Sequence, residues 1–123
     1  MNQQINAFEK LKVWQLSHKF VLSIYKLTKS FPRSEEYRLT SQLCRSAASV
    51  PANLVEGNSR THKKEFIQFV NTAYASLEET KYHLLLAKDL GYLKENEYSV
   101  LFNDAVTISK MLNSLKNYLK SKI

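Results

Sequence analysis

Lys10-Leu-Lys-Val-Trp-Gln-Leu-Ser-His-Lys-Phe-Val-Leu-Ser-Ile-Tyr-Lys-Leu-Thr-Lys-Ser-Phe-Pro-Arg33 holds no glycine, no acid and, until its end, no proline. At about 100° per residue, Val13, Leu16, Phe20, Ile24, Leu27 and Phe31 fall into one narrow stripe, the core face of an amphipathic helix. The spacing predicts a helix over about 10–29, stopped near Phe31-Pro32 because proline disfavours helical geometry in the residue before it. A second group, Leu11, Trp14, His18, Val21, Leu22 and Tyr25, lies beside the first, so most of the circumference is apolar or aromatic. One surface of a small monomeric bundle does not need that much. The excess predicts contact with sister subunits, with Trp14, Val21 and Tyr25 in the interface and His18 a satisfied buried histidine.

Working outward, Ser34 is the expected cap of a second helix, followed by Glu35 and Glu36 where the positive end of a helix favours carboxylates. Leu39, Leu43, Ala47, Val50 and Leu54 share its face, and the short side chains from Ser46 to Ala52 permit a neighbouring helix to approach closely. Pro51 removes a backbone donor and crowds the carbonyl of Ala47, which predicts a kink in place of a full break. Gly57 and Asn58 are expected to end it. Thr61 or Ser59 is the expected cap of a third helix, striped with Phe66, Phe69, Val70, Ala73, Leu77, Leu84 and Ala87 and stopped at Gly91. A fourth, from about Glu95, carries Leu101, Ala105, Ile108, Leu112, Leu115 and Leu119, with fraying expected from Asn117 to Ile123.

Two glycines and two prolines in 123 residues are too few to punctuate a β-rich chain. The predicted fold class is therefore all-α: an antiparallel up-and-down four-helix bundle, since short connections force sequence neighbours to run in opposite directions. A chain of this length is one domain, residues 1–123 with a short extension at 1–9, and can bury roughly two-thirds of its unfolded surface without a staple. The single Cys44 fits a reducing compartment and a core role. The first residues lack the apolar run of a signal peptide, and nowhere do about 18 apolar residues run uninterrupted, so a cytoplasmic protein with no membrane partner is expected.

The residues that carry catalysis in comparable bundles are missing. Di-iron bundles need Glu-x-x-His on each of two helices, whereas Glu79 and His83 stand four apart and unaccompanied. No metal and no other cofactor is implied. His18, His62 and His83 sit on different segments without a Ser or Cys motif, and no arginine precedes a histidine by four to six positions as in small α-helical ribonucleases. The expectation is that the protein is not an enzyme.

The charge is more informative. Eighteen Lys and Arg stand against eleven Asp and Glu, giving +7, and no acid occurs from Lys10 to Arg33 or from Ala105 onward. Such asymmetry points to a polyanionic partner. Lys12, Lys19, Lys26 and Arg33 recur every seven residues, which aligns them along one helix edge where a phosphate backbone could lie. Lysines also decorate any solvated helix face. Arg60, His62, Lys63 and Lys64 form a second cluster at the start of the third helix, where free backbone N–H groups receive anions; solvated loop charges are the plainer alternative.

Phe8-x-x-Leu11-x-Val13-Trp14, the run Arg45-Ser-Ala-Ala-Ser-Val-Pro-Ala-Asn-Leu-Val-Glu-Gly57, Lys64-Glu65-Phe66-x-x-Phe69 and Ala75-Ser76-Leu77-x-Glu79 together resemble the four-helix-bundle proteins encoded in intervening sequences of bacterial 23S ribosomal RNA genes. The resemblance spans nearly the whole chain. It implies a homopentamer, similar to the accessory variability determinant of diversity-generating retroelements, which binds nucleic acid and its reverse transcriptase. It also implies structural roles for Trp14, Arg45, Pro51, Asn53, Glu56 and Arg60, and names no catalytic residue. Val55 and Ala75 stand where the family often has alanine and glycine.

Two functions follow as expectations: an oligomer that holds structured RNA, or RNA with DNA, through its phosphates, or a scaffold that recruits a partner protein such as a reverse transcriptase.

Overall fold

The computed structural model describes residues 7–123, and among them are four α-helices and no strand: α1 Lys12–Thr28, α2 Ser41–Asn58, α3 Lys63–Asp89 and α4 Glu95–Ser121. Of the expected N-terminal extension, residues 1–6 lie outside the described residues; Ala7–Lys10 form a 3-10 turn. The apolar stripes pack where periodicity placed them. Val13, Phe20 and Ile24 meet Leu43, Ala47, Val50 and Leu54 of α2, Val70, Ala73, Leu77, Leu84 and Ala87 of α3, and Leu101, Ala105, Ile108 and Leu112 of α4 in one buried core. Each large side chain removed from water there contributes about 1.5–3 kcal/mol.

Polar contacts fix the directions of the helices. Thr80 Oγ1 lies 2.9 Å from Ser46 Oγ, and Ser49 Oγ lies 2.9 Å from Ser76 Oγ, so moving forward along α2 moves backward along α3. Lys88 sits over the ring of Tyr98 and Lys81 over that of Phe102, which sets α4 opposite to α3. Thr28, the last residue of α1, touches Cys44 in the first turn of α2, while the 3-10 turn before α1 also packs on α2. The starts of α1 and α3 and the ends of α2 and α4 therefore share one end of the bundle.

The connections depart from expectation in instructive ways. Ser34 caps nothing; Glu35 does its work, one carboxylate oxygen accepting from the Leu39 N–H at 3.4 Å and the other from the Tyr92 hydroxyl at 2.8 Å. Between α1 and α2 the chain makes a 3-10 turn at Arg33–Glu35 and a wider, π-type turn at Glu36–Thr40, in which Arg38 leaves helical geometry at φ −121° and ψ −108°. Helix α2 then passes through Pro51 without a full break, in agreement with expectation.

Helix α2 ends at Asn58, where Gly57-Asn58 was expected to stop it, but Gly57 is not a left-handed cap. It lies inside α2, where a Cβ would come within 2.7 Å of Phe66 Cδ1 and 2.8 Å of Phe69 Cβ, so the missing side chain is what lets α3 dock. Neither Thr61 nor Ser59 caps α3: its N-cap is His62, extended and without a side-chain bond, and the Ser59 hydroxyl donates backward to the Glu56 carbonyl. Gly91 does end α3 in the left-handed region, at φ +84°, with Tyr92 N–H bonding Ala87 and Gly91 N–H bonding Lys88. The last turns of α4 do not fray; Leu119 is buried, which holds the helix to Ser121.

Half of the second stripe of α1, Leu11, Trp14 and Val21, is covered by its own chain. Val21 is buried, and Trp14 is half-buried between Phe8, edge-on at 4.9 Å, and His18, stacked flat at 5.0 Å. His18 is thus an exposed lid on an indole and not a buried histidine. Beside His18, Leu22 and Tyr25 of the six stay exposed, at 57% and 50%.

Candidate functional site

The antiparallel arrangement sorts the charges by end. Cutting the bundle near Lys19 on α1, Val50 on α2, Ser76 on α3 and Thr107 on α4 leaves Lys10, Lys12, Lys19, Arg60, Lys63, Lys64, Lys110, Lys116, Lys120 and Lys122 in one half, against Glu9, Glu56 and Glu65. In the other half Lys26, Lys29, Arg33, Arg38, Arg45, Lys81, Lys88 and Lys94 are matched by Glu35, Glu36, Glu78, Glu79, Asp89, Glu95, Glu97 and Asp104. The whole net charge of +7 belongs to the first half.

Helix electrostatics sharpen the point. Carbonyl ends favour cations, so Arg60 beyond α2 and Lys120 and Lys122 at the end of α4 sit where helices accept them. Lys63 and Lys64 occupy the first turn of α3, and Lys12 that of α1, where a helix favours carboxylates. Misplaced cations cost about 0.3–1 kcal/mol each, so these three do not serve their own helices.

Thr61, His62, Lys63 and Lys64 meet Lys122 and Ile123 around a shallow recess of about 350 Å³. The first N–H groups of α3 lie at this end with no intrahelical partner to bond, the capping turn running from Glu65 and Phe66 N–H to the His62 carbonyl. Arg60 stands apart from the recess residues, its guanidinium 4.9 Å over the ring of Phe69.

The seven-residue row fares less well. Lys12, Lys19 and Lys26 are exposed on one side of α1, but Arg33 is off the row, because α1 ends at Thr28 and the chain turns before reaching it. Lys26 shares a groove with Glu97 and Asp104 of α4, and Lys19 shares the adjoining recess with Asp104. Carboxylates beside two of its three lysines make this side of α1 a mixed surface.

The residues given structural roles by resemblance divide. Asn53 donates from its side chain to the Ser49 carbonyl and hydroxyl at 2.7 and 3.0 Å, and Ser49 in turn reaches Ser76, so Asn53 braces the α2–α3 contact. Pro51 is buried. Arg45 and Glu56 are exposed on α2 and make no side-chain hydrogen bond or ion pair among the described residues. His83 and Glu79 pair on the surface of α3 at 3.0 Å, and among the described residues no three His, Cys, Asp or Glu gather into a metal site. No described helix is long and apolar enough to cross a membrane.

Lys110, Lys116, Lys120 and Lys122 were not singled out from the sequence, although the acid-free tail after Asp104 was visible. The expected antiparallel bundle already returns this tail beside the start of α3; its lysines carry no motif or regular interval of their own.

The profile of the family described as 23S rRNA-intervening sequence protein matches residues 9–114. The fold is similar to the crystal structure of a protein of unknown function from the S23 ribosomal protein family of Bacteroides thetaiotaomicron, with a TM-score of 0.79 and 30% sequence identity over 85% of this chain and 97% of that one. No curated protein matches the chain.

Proposed function

The chain belongs to the 23S rRNA-intervening sequence protein family, and we propose that it is a non-enzymatic, cytoplasmic protein that holds RNA, alone or with DNA, against the charged end of its bundle. The observation that carries this reading is the confinement of the entire net charge to one half. Phosphates supply most of the affinity in such contacts and set its dependence on salt. A face that neutralises about five duplex phosphates loses affinity roughly 500-fold between 50 and 200 mM salt. A filter-binding titration with a structured RNA tests the proposal; affinity indifferent to salt, or no affinity for RNA, refutes it.

The protein acts as an oligomer in this reading, a pentamer by family resemblance, with the exposed Leu22 and Tyr25 of α1 facing sister subunits. Ring assembly would repeat the basic end in every subunit and add avidity. Light scattering decides the matter: a mass near the chain's own 14.3 kDa refutes assembly.

The neutral half favours a second reading, a scaffold that recruits a partner protein such as a reverse transcriptase, because it exposes Leu22, Tyr25 and Val100 at 57%, 50% and 61% without a charge excess. Purification after nuclease treatment separates the two, since a protein partner retained without RNA supports the scaffold.

A further inference from the structure

Within the charged half, α3 and α4 leave a recess between them of about 270 Å³, lined by Val70, Asn71 and Tyr74 from one helix and Leu112, Asn113 and Lys116 from the other. We propose that this recess takes a single unstacked nucleotide, its base between the two asparagines and its phosphate on Lys116; the proposal rests on the nucleic-acid reading given above and specifies what part of the ligand is read.

The chemistry of the lining carries the argument. Val70 and Leu112 close the bottom of the recess but are almost fully buried, so the face open to a ligand is that of Tyr74, half-buried and packed against the core. A base face stacks on an aromatic ring of this kind. Asn71 and Asn113 stand at its margin, and neither carboxamide makes a hydrogen bond among the described residues. A carboxamide presents a donor and an acceptor side by side, the pattern that the edges of nucleobases complement.

No carboxylate lines the recess, unlike the groove between α1 and α4 that holds Glu97 and Asp104, so an anionic ligand is favoured over a cationic one. Its volume falls just below the usual range of ligand clefts, about 300–1,000 Å³, which fits one heterocycle better than a dinucleotide cofactor. From Asn71 to Lys64 the rise along α3 is about 10 Å, near enough for the flanking phosphates to reach the basic end.

The nucleotide can be free or part of a strand, and the experiment separates these sources. Asn71→Ala with Asn113→Ala is compared with the unmodified protein for binding an unstructured RNA oligonucleotide, an RNA duplex of equal length and heparin, with melting temperature as the folding control. About tenfold weaker binding of the unstructured RNA, with heparin and duplex binding and melting unchanged, is expected. Saturation-transfer NMR with adenosine, cytidine, guanosine and uridine monophosphates then assigns the source: a signal abolished by the double substitution identifies free nucleotides as ligands, and its absence alongside weakened RNA binding restricts the site to strands. Undiminished RNA binding by the double variant overturns the recess alone. Failure of the unmodified protein to bind RNA or heparin overturns the underlying reading and the recess with it.

Discussion

Gly57→Ala tests the central contact of the bundle. A methyl group there would lie 2.8 Å from Phe69 Cβ and 2.7 Å from Phe66 Cδ1. The Phe66 ring can rotate away, but the Phe69 Cβ is attached to the backbone of α3, so relief requires the two helices to separate. Overpacking of this kind costs about 2–3 kcal/mol. Alanine returns about 1 kcal/mol through its better helix propensity, leaving a net loss of about 1–2 kcal/mol. For a chain of this length that lowers the melting temperature by about 4–8 °C. Calorimetry or thermal circular dichroism reads the shift, and a melting temperature equal to or above the wild-type value refutes the argument that glycine is present for space. Gly91→Ala provides a contrast: nothing crowds its Cβ, and destabilisation there reports the left-handed backbone alone.

Lys63→Glu with Lys122→Glu should weaken RNA binding more than Lys19→Glu with Lys26→Glu, because only the second pair has carboxylates alongside; equal losses in a binding titration would restore the α1 row as the contact. Tyr92 donates to Glu35, and that bond, with burial and the carboxylate charge adding to it, holds its hydroxyl above the usual value of 10.0. The stabilisation is therefore intact below about pH 10 and lost as pH rises through the folded value, and Tyr92→Phe should flatten the alkaline fall in melting temperature. Thr80→Val should cost about 1 kcal/mol, and a double-mutant cycle with Ser46→Ala in urea should recover coupling of similar size across α2 and α3. Trp14→Ala should lower the mass seen by light scattering if α1 joins subunits; if the mass holds while the melting temperature drops, the indole serves only the packing between Phe8 and His18.

The stripes from Val13 to Phe31 and from Leu101 to Leu119 were legible because burial repeats at the helical period and needs no partner to be recognised. What escaped the sequence depends on a second segment. Gly57 reads as a terminator until Phe66 and Phe69 are seen against it. Ser34 is a better cap by type than Glu35, yet Tyr92, far along the chain, captures the glutamate and settles the choice. His18 falls in an apolar stripe, and only the position of the Trp14 ring places the imidazole outside it. Arg33 keeps a seven-residue interval that loses its meaning once α1 stops at Thr28. Asn71 and Asn113 carry no periodic signal, since polar helix residues become a pair only when α3 and α4 lie side by side.

The uneven placement of lysines makes the molecule a permanent electric dipole along its long axis. In the field of a polyanion such a body turns before it touches, like a compass needle, and arrives end-on. Its footprint on a strand is then the cross-section of four helices and not their length. The half whose charges balance would then point away from the strand.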